Sequence, residues 1–260
     1  MADLVDLGAT AAAVADEWGL ELGAPFPFAR WSFAAPAGDG AVLKVTAQSD
    51  DEALHEADAL AFWDGDGAVR LLRHDRARRA FLIERAVPGD QATSVSDDEA
   101  TAIAIDVGRR IWRPAGTPFR PVEPHVRRWL DEAERRDAAG CELVPLARRL
   151  LGELRPRHDV LVHGDFHHHN LLRHGGRWVA IDPKAWLGEP EYDVPSFLWN
   201  PFDLEAGRGS MPLERTRRRL SAFEAAGLDP WRMRAWTVIR GAANGAEPDE
   251  VETILEVLED

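Results

Sequence analysis

The stretch VHGDFHHHNLL, residues 162–172, gathers four of the chain's nine histidines around one aspartate and one asparagine. Asp165 precedes Asn170 by five positions, and a second aspartate, Asp182, follows after the turn signal His-Gly-Gly. NLLR and RWVAID on either side of that signal read as a β-hairpin. Pairing about Gly175 or Gly176 sets Asn170 across from Asp182 to within one residue of register. A carboxylate and an amide oxygen at the open end of a hairpin form a hard-oxygen site suited to Mg²⁺. Asp165 stands in the loop just before, placed to act on a substrate hydroxyl. The rival chemistry is an imidazole-bound zinc and a metal-dependent hydrolase. His167, His168 and His169 are consecutive and cannot all face one ion, so only His163 and His167 have a spacing for it.

Lysine supplies a second clue. Of 31 basic residues only Lys44 and Lys184 are lysines, and the rest are arginines. A compact ammonium and a planar guanidinium differ most where a phosphate or carboxylate must be met in a tight site. Lys44 lies in AVLKVTA, the second strand of a hairpin expected from FPFARWSFAAP, the turn AGDG and AVLKVTA. The segment after it offers Glu52 and Glu56. Ser49 and Glu52 form a capping-box pattern, which leaves Glu56 as the partner of Lys44. Lys184 follows Asp182 by two residues, placed to neutralise a transferring phosphate or to pair with Asp165 or Glu189. Together His163, Asp165, Asn170, Asp182 and a strand lysine match the phosphoryl-transfer template, with ATP and Mg²⁺ as cofactors and Asp165 orienting or deprotonating the hydroxyl.

The elements that must position these residues divide in two. Residues 9–19 read as a short helix, the hairpin follows, and residues 49–67 predict a helix of about four turns. AVRLLRHD and AFLIERAV add two strands joined by RARR. Residues 1–87 thus form a nucleotide-binding lobe built on a small antiparallel sheet with a helix packed on it. From residue 88 to 260 the patterns are mainly helical, at 96–112, 125–137, 143–155 and repeatedly after 212, interrupted by one β insert that carries the opening stretch. The expected class is α+β with two lobes, the second catalytic and substrate-binding.

Composition narrows the partners. The net charge of −14 argues against a nucleic-acid backbone binder, which needs Lys and Arg to neutralise phosphates; it favours a cationic partner, with a solvated acidic surface as the plainer alternative. No apolar run approaches the roughly 20 residues that span a bilayer. With one cysteine, Cys141, no intrachain disulfide forms, and the acidic start MADLVDLG is unlike a signal peptide, so a cytoplasmic setting is expected. Oligomeric state has no signature.

VHGDFHHHNLL, VAIDPKAWLGEPEYDVPSFLWNP and LIERAVPGD resemble the aminoglycoside phosphotransferase family, in particular its streptomycin and hydroxyurea phosphotransferase branch. Asp-Pro-Lys at 182–184 and the GEPEYD that follows point to that branch. The resemblance implies a protein-kinase-like fold and ATP-dependent phosphorylation of a small-molecule hydroxyl, with streptomycin as the leading acceptor. It implies that Glu84 and Ala86 lie where backbone groups bind adenine, that His163 holds the loop, and that Asp193 braces it from below. Trp186, Glu189, Trp199 and Asn200 are substrate-pocket candidates by position. Glu189, Glu191 and Asp193 are candidate counter-charges for a cationic acceptor. One departure stands out: no glycine lies between Pro25 and Pro36, so a Gly-rich phosphate cover is missing. That leaves a nucleotide-binding regulator without turnover as a further alternative.

Overall fold

The computed structural model describes residues 2–27, 32–136, 140–201 and 210–260. Contacts group the chain into two units, residues 1–90 with 172–184, and residues 91–171 with 185–260. The expected consecutive division at 87/88 differs from this grouping. Residues 172–184 return to the first unit because their hairpin pairs with the strand that follows Val87.

In the first unit, α1 (Ala2–Trp18) starts earlier than the expected residue 9. Its Ala11, Val14 and Ala15 recur at helical spacing and are buried in one cluster with Leu43 and Val45. Those two belong to β2 (Ala41–Thr46), which pairs antiparallel with β1 (Ser32–Ala37) and with β4 (Ala80–Glu84). β3 (Leu71–Asp75) completes the sheet in the order β1-β2-β4-β3. Side chains alternate along a strand, so Leu43 and Val45 facing α1 send Lys44 to the opposite face. Of the first strand expected over 26–36, residues 28–31 lie outside the described residues, and Ser32–Ala37 is the strand formed.

The four-turn helix after Lys44 is shorter than expected. A 3₁₀ turn, Glu52–His55, leads into α2 (Glu56–Trp63). The capping box of Ser49 and Glu52 does not form. Asp50 Oδ1 instead accepts from the amides of Glu52 and Ala53, at 3.1 and 3.3 Å. Buried Arg79 donates to the carbonyls of Ala47, Gln48 and Asp50 and so holds the loop that enters this turn. β5 (Pro88–Gln91), β9 (Leu171–His174) and β10 (Arg177–Ala180) make a second sheet in the order β10-β9-β5. The expected turn at Gly175 and Gly176 joins β9 to β10.

The second unit is mainly helical. α3 (Asp97–Ile111) is capped by Ser96, whose hydroxyl accepts from the Glu99 amide. α4 (Val122–Arg135), α5 (Val144–Leu154), α6 (Val194–Trp199), α7 (Leu213–Ala225), α8 (Pro230–Asn244) and α9 (Pro248–Glu259) follow. Helix α8 is buried through its middle from Ala235 to Ala242 and packs on α4, α5, α6 and α9. Short strands β6 (Arg113–Pro114), β7 (Arg120–Pro121), β8 (Val160–Val162) and β11 (Trp186–Gly188) form a small sheet, β6-β8-β11-β7, whose member β8 delivers the chain into His163. Among the described residues no helix is long and apolar enough to cross a membrane.

Candidate active site

In the first unit the ammonium of Lys44 sits between two carboxylates. It donates to Glu56 Oε1 at 2.7 Å and to Asp182 Oδ1 at 2.6 Å. Burial alone would lower the Lys44 pKa, but Asp182 and Glu56 outweigh it and hold it above 10.5. Glu56 is 1 % exposed, and burial pushes its carboxyl up to about 7 against the pull of Lys44. Asp182 has a φ of 59° and Ala185 one of 58°. Left-handed backbone at non-glycine residues costs on the order of 1 kcal/mol or more and collects at functional sites. Lys184 Nζ lies 3.8 Å from Asp182 Oδ1. It lines a cavity of about 320 Å³ opposite the turn Ser49–Glu52.

The connection after β4 is nearly used up. The Glu84 amide donates to Arg70 O, the Arg85 amide to Gly40 O and the Val87 amide to His174 Nδ1, and Pro88 has no N–H. Val87 O accepts from the Gly175 amide. Among residues 84–88 only the Ala86 amide has no hydrogen-bond acceptor within the described residues. His174 also turns Nε2 to Glu84 Oε1 at 3.0 Å. The Glu84 carboxylate therefore serves the hairpin, and burial, which would raise its pKa, is outweighed by His174 and the Arg70 amide.

In the second unit the loop after β8 is held by its backbone. Asp193, fully buried, accepts from the amides of His163 and Gly164 at 2.9 and 2.7 Å and from Trp112 Nε1 at 2.8 Å. Burial still raises its pKa, against His163 and these donors. The Asp165 amide donates to His163 Nδ1, and Asn170 Nδ2 donates to Asp165 O at 2.9 Å. The Asp165 side chain remains 37 % exposed, with His167 Nε2 3.4 Å from Oδ1. Because Asn170 gives its nitrogen to Asp165, its oxygen is left for another partner. An amide oxygen of this kind suits a hard cation such as Mg²⁺. The histidines diverge: His168 stacks on Phe197 at 4.0 Å, while His169 meets Gln91 at 2.8 Å. Among the described residues no group of three His, Cys, Asp or Glu is set to hold a metal.

Residues 29–252 match the model of the aminoglycoside/hydroxyurea antibiotic resistance kinases. The chain belongs to this family. It is 36 % identical over 219 residues to the streptomycin 3''-kinase of Klebsiella pneumoniae, covering 80 % of each chain. To the streptomycin 6-kinase of Streptomyces glaucescens it is 31 % identical over 214 residues, 77 % of this chain and 68 % of that one. Its fold is that of a solved aminoglycoside phosphotransferase with ADP and hygromycin B bound, at a TM-score of 0.60 and 16 % identity, over 96 % of this chain and 97 % of the other. The protein is a small-molecule kinase with the two-lobed, α+β kinase-like fold.

The kinase uses several expected substrate residues for other purposes. Glu189 is 1 % exposed, and its carboxylate accepts from Arg157, Arg232 and Trp236. Glu191 is buried and accepts from the Asp229 amide. With Asp193 committed to the loop, none of the three is a counter-charge for a cationic acceptor. Glu189 is engaged within the second unit. Trp186 is buried, stacked on His125 at 4.2 Å with the Arg120 guanidinium over its ring. Trp199 and Asn200 are half-buried at the end of α6, and Asn200 Nδ2 donates to Ser196 O. Sequence reasoning missed Trp112, His174, Arg219 and Arg240. Only His174 carried a signal, as a polar residue beside the hairpin turn; the arginines are lost among so many others.

Proposed function

We propose that this kinase transfers the γ-phosphoryl group of ATP to a hydroxyl of streptomycin or a closely similar cationic aminoglycoside, in the cytoplasm. The observation that carries the reading is the Asp165 carboxylate, more than a third exposed on a loop whose backbone is held at His163, Gly164 and Asp165. Such a group is accessible to a substrate and fixed enough to orient it. The names of the two streptomycin kinases and the net charge of −14 support the acceptor class.

In the reaction a bond forms from the acceptor oxygen to the γ-phosphorus, the bond from that phosphorus to the β,γ-bridging oxygen breaks, and the hydroxyl proton passes to Asp165. Lys44, fixed by Glu56, grips the non-transferred phosphates in exchange for its contact with Asp182. Lys184 meets the transferring phosphoryl oxygens. Asn170 and Asp182 would hold Mg²⁺, which when bound would neutralise phosphate charge. The Ala86 amide donates to the base, and the backbone of Glu84 borders it. The test is incubation of the protein with MgATP and streptomycin, with hydroxyurea in parallel, followed by mass spectrometry and ADP release. Phosphorylated streptomycin matched by ADP is expected. Phosphorylation of hydroxyurea alone would move the acceptor to the other branch of the family. Nucleotide binding without transfer to either would leave the regulator reading.

A further inference from the structure

We propose that Arg240 is a positioning residue for phosphoryl transfer: from α8 it holds the carbonyl of Gly164 and thereby fixes the loop that presents Asp165. The proposal rests on the reading of Asp165 given above. Arg240 is 4 % exposed. Its Nη1 donates to Gly164 O at 3.2 Å and to Tyr192 O at 3.4 Å, and its guanidinium carbon lies 4.7 Å from the centre of the Tyr192 ring. Its Nε has no partner, and among the described residues no carboxylate pairs with it. Arg219, equally buried on α7, has Asp97. Burying a guanidinium is costly unless it is paired and fully hydrogen-bonded, and a leucine or methionine would fill this place in α8 more cheaply. A cation kept there points to use of the charge.

The charge faces Gly164 and the adjoining carbonyl and ring of Tyr192. Gly164 gives its amide to Asp193 and its carbonyl to Arg240, so a buried anion and a buried cation each hold one of its two backbone groups. Its φ of 85° lies where side chains are disfavoured, which suits glycine at this position. Asp193 stands next to Tyr192 in the chain, so one short segment supplies the anion for the amide and, through the Tyr192 ring and carbonyl, a seat for the cation. Asp165 follows Gly164 directly. With the Asp165 amide on His163 and its carbonyl on Asn170, the clamp on Gly164 leaves little freedom except in the carboxylate's own side chain. Misplacement of a reacting group by about 1 Å can lower a rate on the order of a hundredfold.

The test compares wild type with Arg240→Lys, Arg240→Met and Asp165→Asn, each verified as folded by circular dichroism and melting. Two readouts are taken: steady-state kinetics with MgATP and streptomycin, and amide hydrogen exchange of the peptide covering 163–170. Arg240→Met should lose about tenfold or more in kcat while both KM values stay within about twofold. Exchange in 163–170 should speed up without a matching change in α8. Arg240→Lys, which keeps a cation and a donor, should fall between wild type and Arg240→Met in both readouts. Unchanged exchange and kcat in folded Arg240→Met would overturn the proposal, as would a loss that merely follows the melting temperature across the variants. Should Arg240→Met fail to fold, Arg240→Lys decides alone: a flat exchange profile with full kcat overturns it. The reading of Asp165 fails separately, if Asp165→Asn keeps wild-type kcat. Should wild type prove inert toward streptomycin, the exchange readout still decides the clamp.

Discussion

Charge is handled in opposite ways in the two units. Around Lys44, ions face ions: an ammonium bridges Glu56 and Asp182, with Lys184 at the edge. Around Asp165, buried ions face backbone: Asp193 takes two amides and Arg240 two carbonyls. Ion pairs between side chains can exchange partners when phosphates arrive, since what one carboxylate gives up another anion replaces. Hydrogen bonds to the backbone cannot be exchanged without moving the chain. The first arrangement suits a site that must accept and release a highly charged ligand. The second suits a loop that must keep its shape before the substrate comes, where fixed groups save reorganisation at the moment of reaction.

The largest effect should come from breaking the contrast at its two aspartates. Asp165→Asn leaves the loop backbone in place, so MgATP affinity by calorimetry should be unchanged while kcat falls about a thousandfold, roughly 4 kcal/mol of transition-state stabilisation. Asp182→Ala removes a partner of Lys44 and a candidate metal ligand together, so MgATP binding itself should be lost. Equal loss of nucleotide binding in both variants would contradict the division of roles.

Next in size is a structural ion pair of the second unit. Arg219 is 1 % exposed, pairs with Asp97, and donates to the carbonyls of Phe197 and Asn200 at 2.7 and 2.6 Å. Burial would raise the Asp97 pKa, but Arg219 and Arg218 outweigh it and hold it below 3.8. A depressed carboxylate contributes stability that is present above its unfolded value and lost as pH falls through its folded one. Asp97→Asn should therefore lower stability by about 2 kcal/mol at pH 7, because it leaves Arg219 buried without its anion. The gap from wild type in melting temperature should narrow below about pH 4. A gap independent of pH would show that packing, not charge, is what Asp97 supplies.

Lys44→Arg sharpens the comparison from the other side. A planar fork in a seat shaped for a point donor between two carboxylates should reduce kcat about tenfold, near 1.4 kcal/mol, with the fold intact. A fully active variant would mean that the seat is looser than its 2.6 and 2.7 Å contacts suggest.

These cases also show what was legible before the structure. The hairpin turn at Gly175, the helix start at Ser96 and the strands around Lys44 follow from local chemistry, and local chemistry is written in adjacent residues. Spacing does not separate Glu56 from Glu52, since i and i+4 share a helix face, and Glu56 is reached only by elimination because Ser49 and Glu52 match a capping box. The cap belongs to Asp50, so the elimination reaches the partner of Lys44 through a bond that does not form. Glu189 and Glu191 misled because acidity near a motif says nothing about burial, and their arginine partners lie tens of residues away. Arg240 and Trp112 reach the loop from distant helices. No periodicity separates an arginine that holds Gly164 from one that faces water.

The smallest expected effect belongs to His174. Its ring joins two parts of the connection after β4, accepting from the Val87 amide at 3.2 Å and meeting Glu84 at 3.0 Å. His174→Phe keeps a ring on β9 and removes both contacts. Val87 is 52 % exposed, so water can satisfy its amide once the imidazole is gone, and a hydrogen bond exchanged with water contributes only about 0.5–1.5 kcal/mol. The backbone around Ala86 then loses one of two anchors while the Gly175 amide still holds Val87 O. The KM for ATP should rise about threefold, roughly 0.6 kcal/mol, with kcat and the KM for streptomycin unchanged. Steady-state kinetics at saturating acceptor checks this. A fall in kcat at constant KM would place His174 with the loop of the second unit in its effect, and would break the separation between a region that binds and a region that holds its shape.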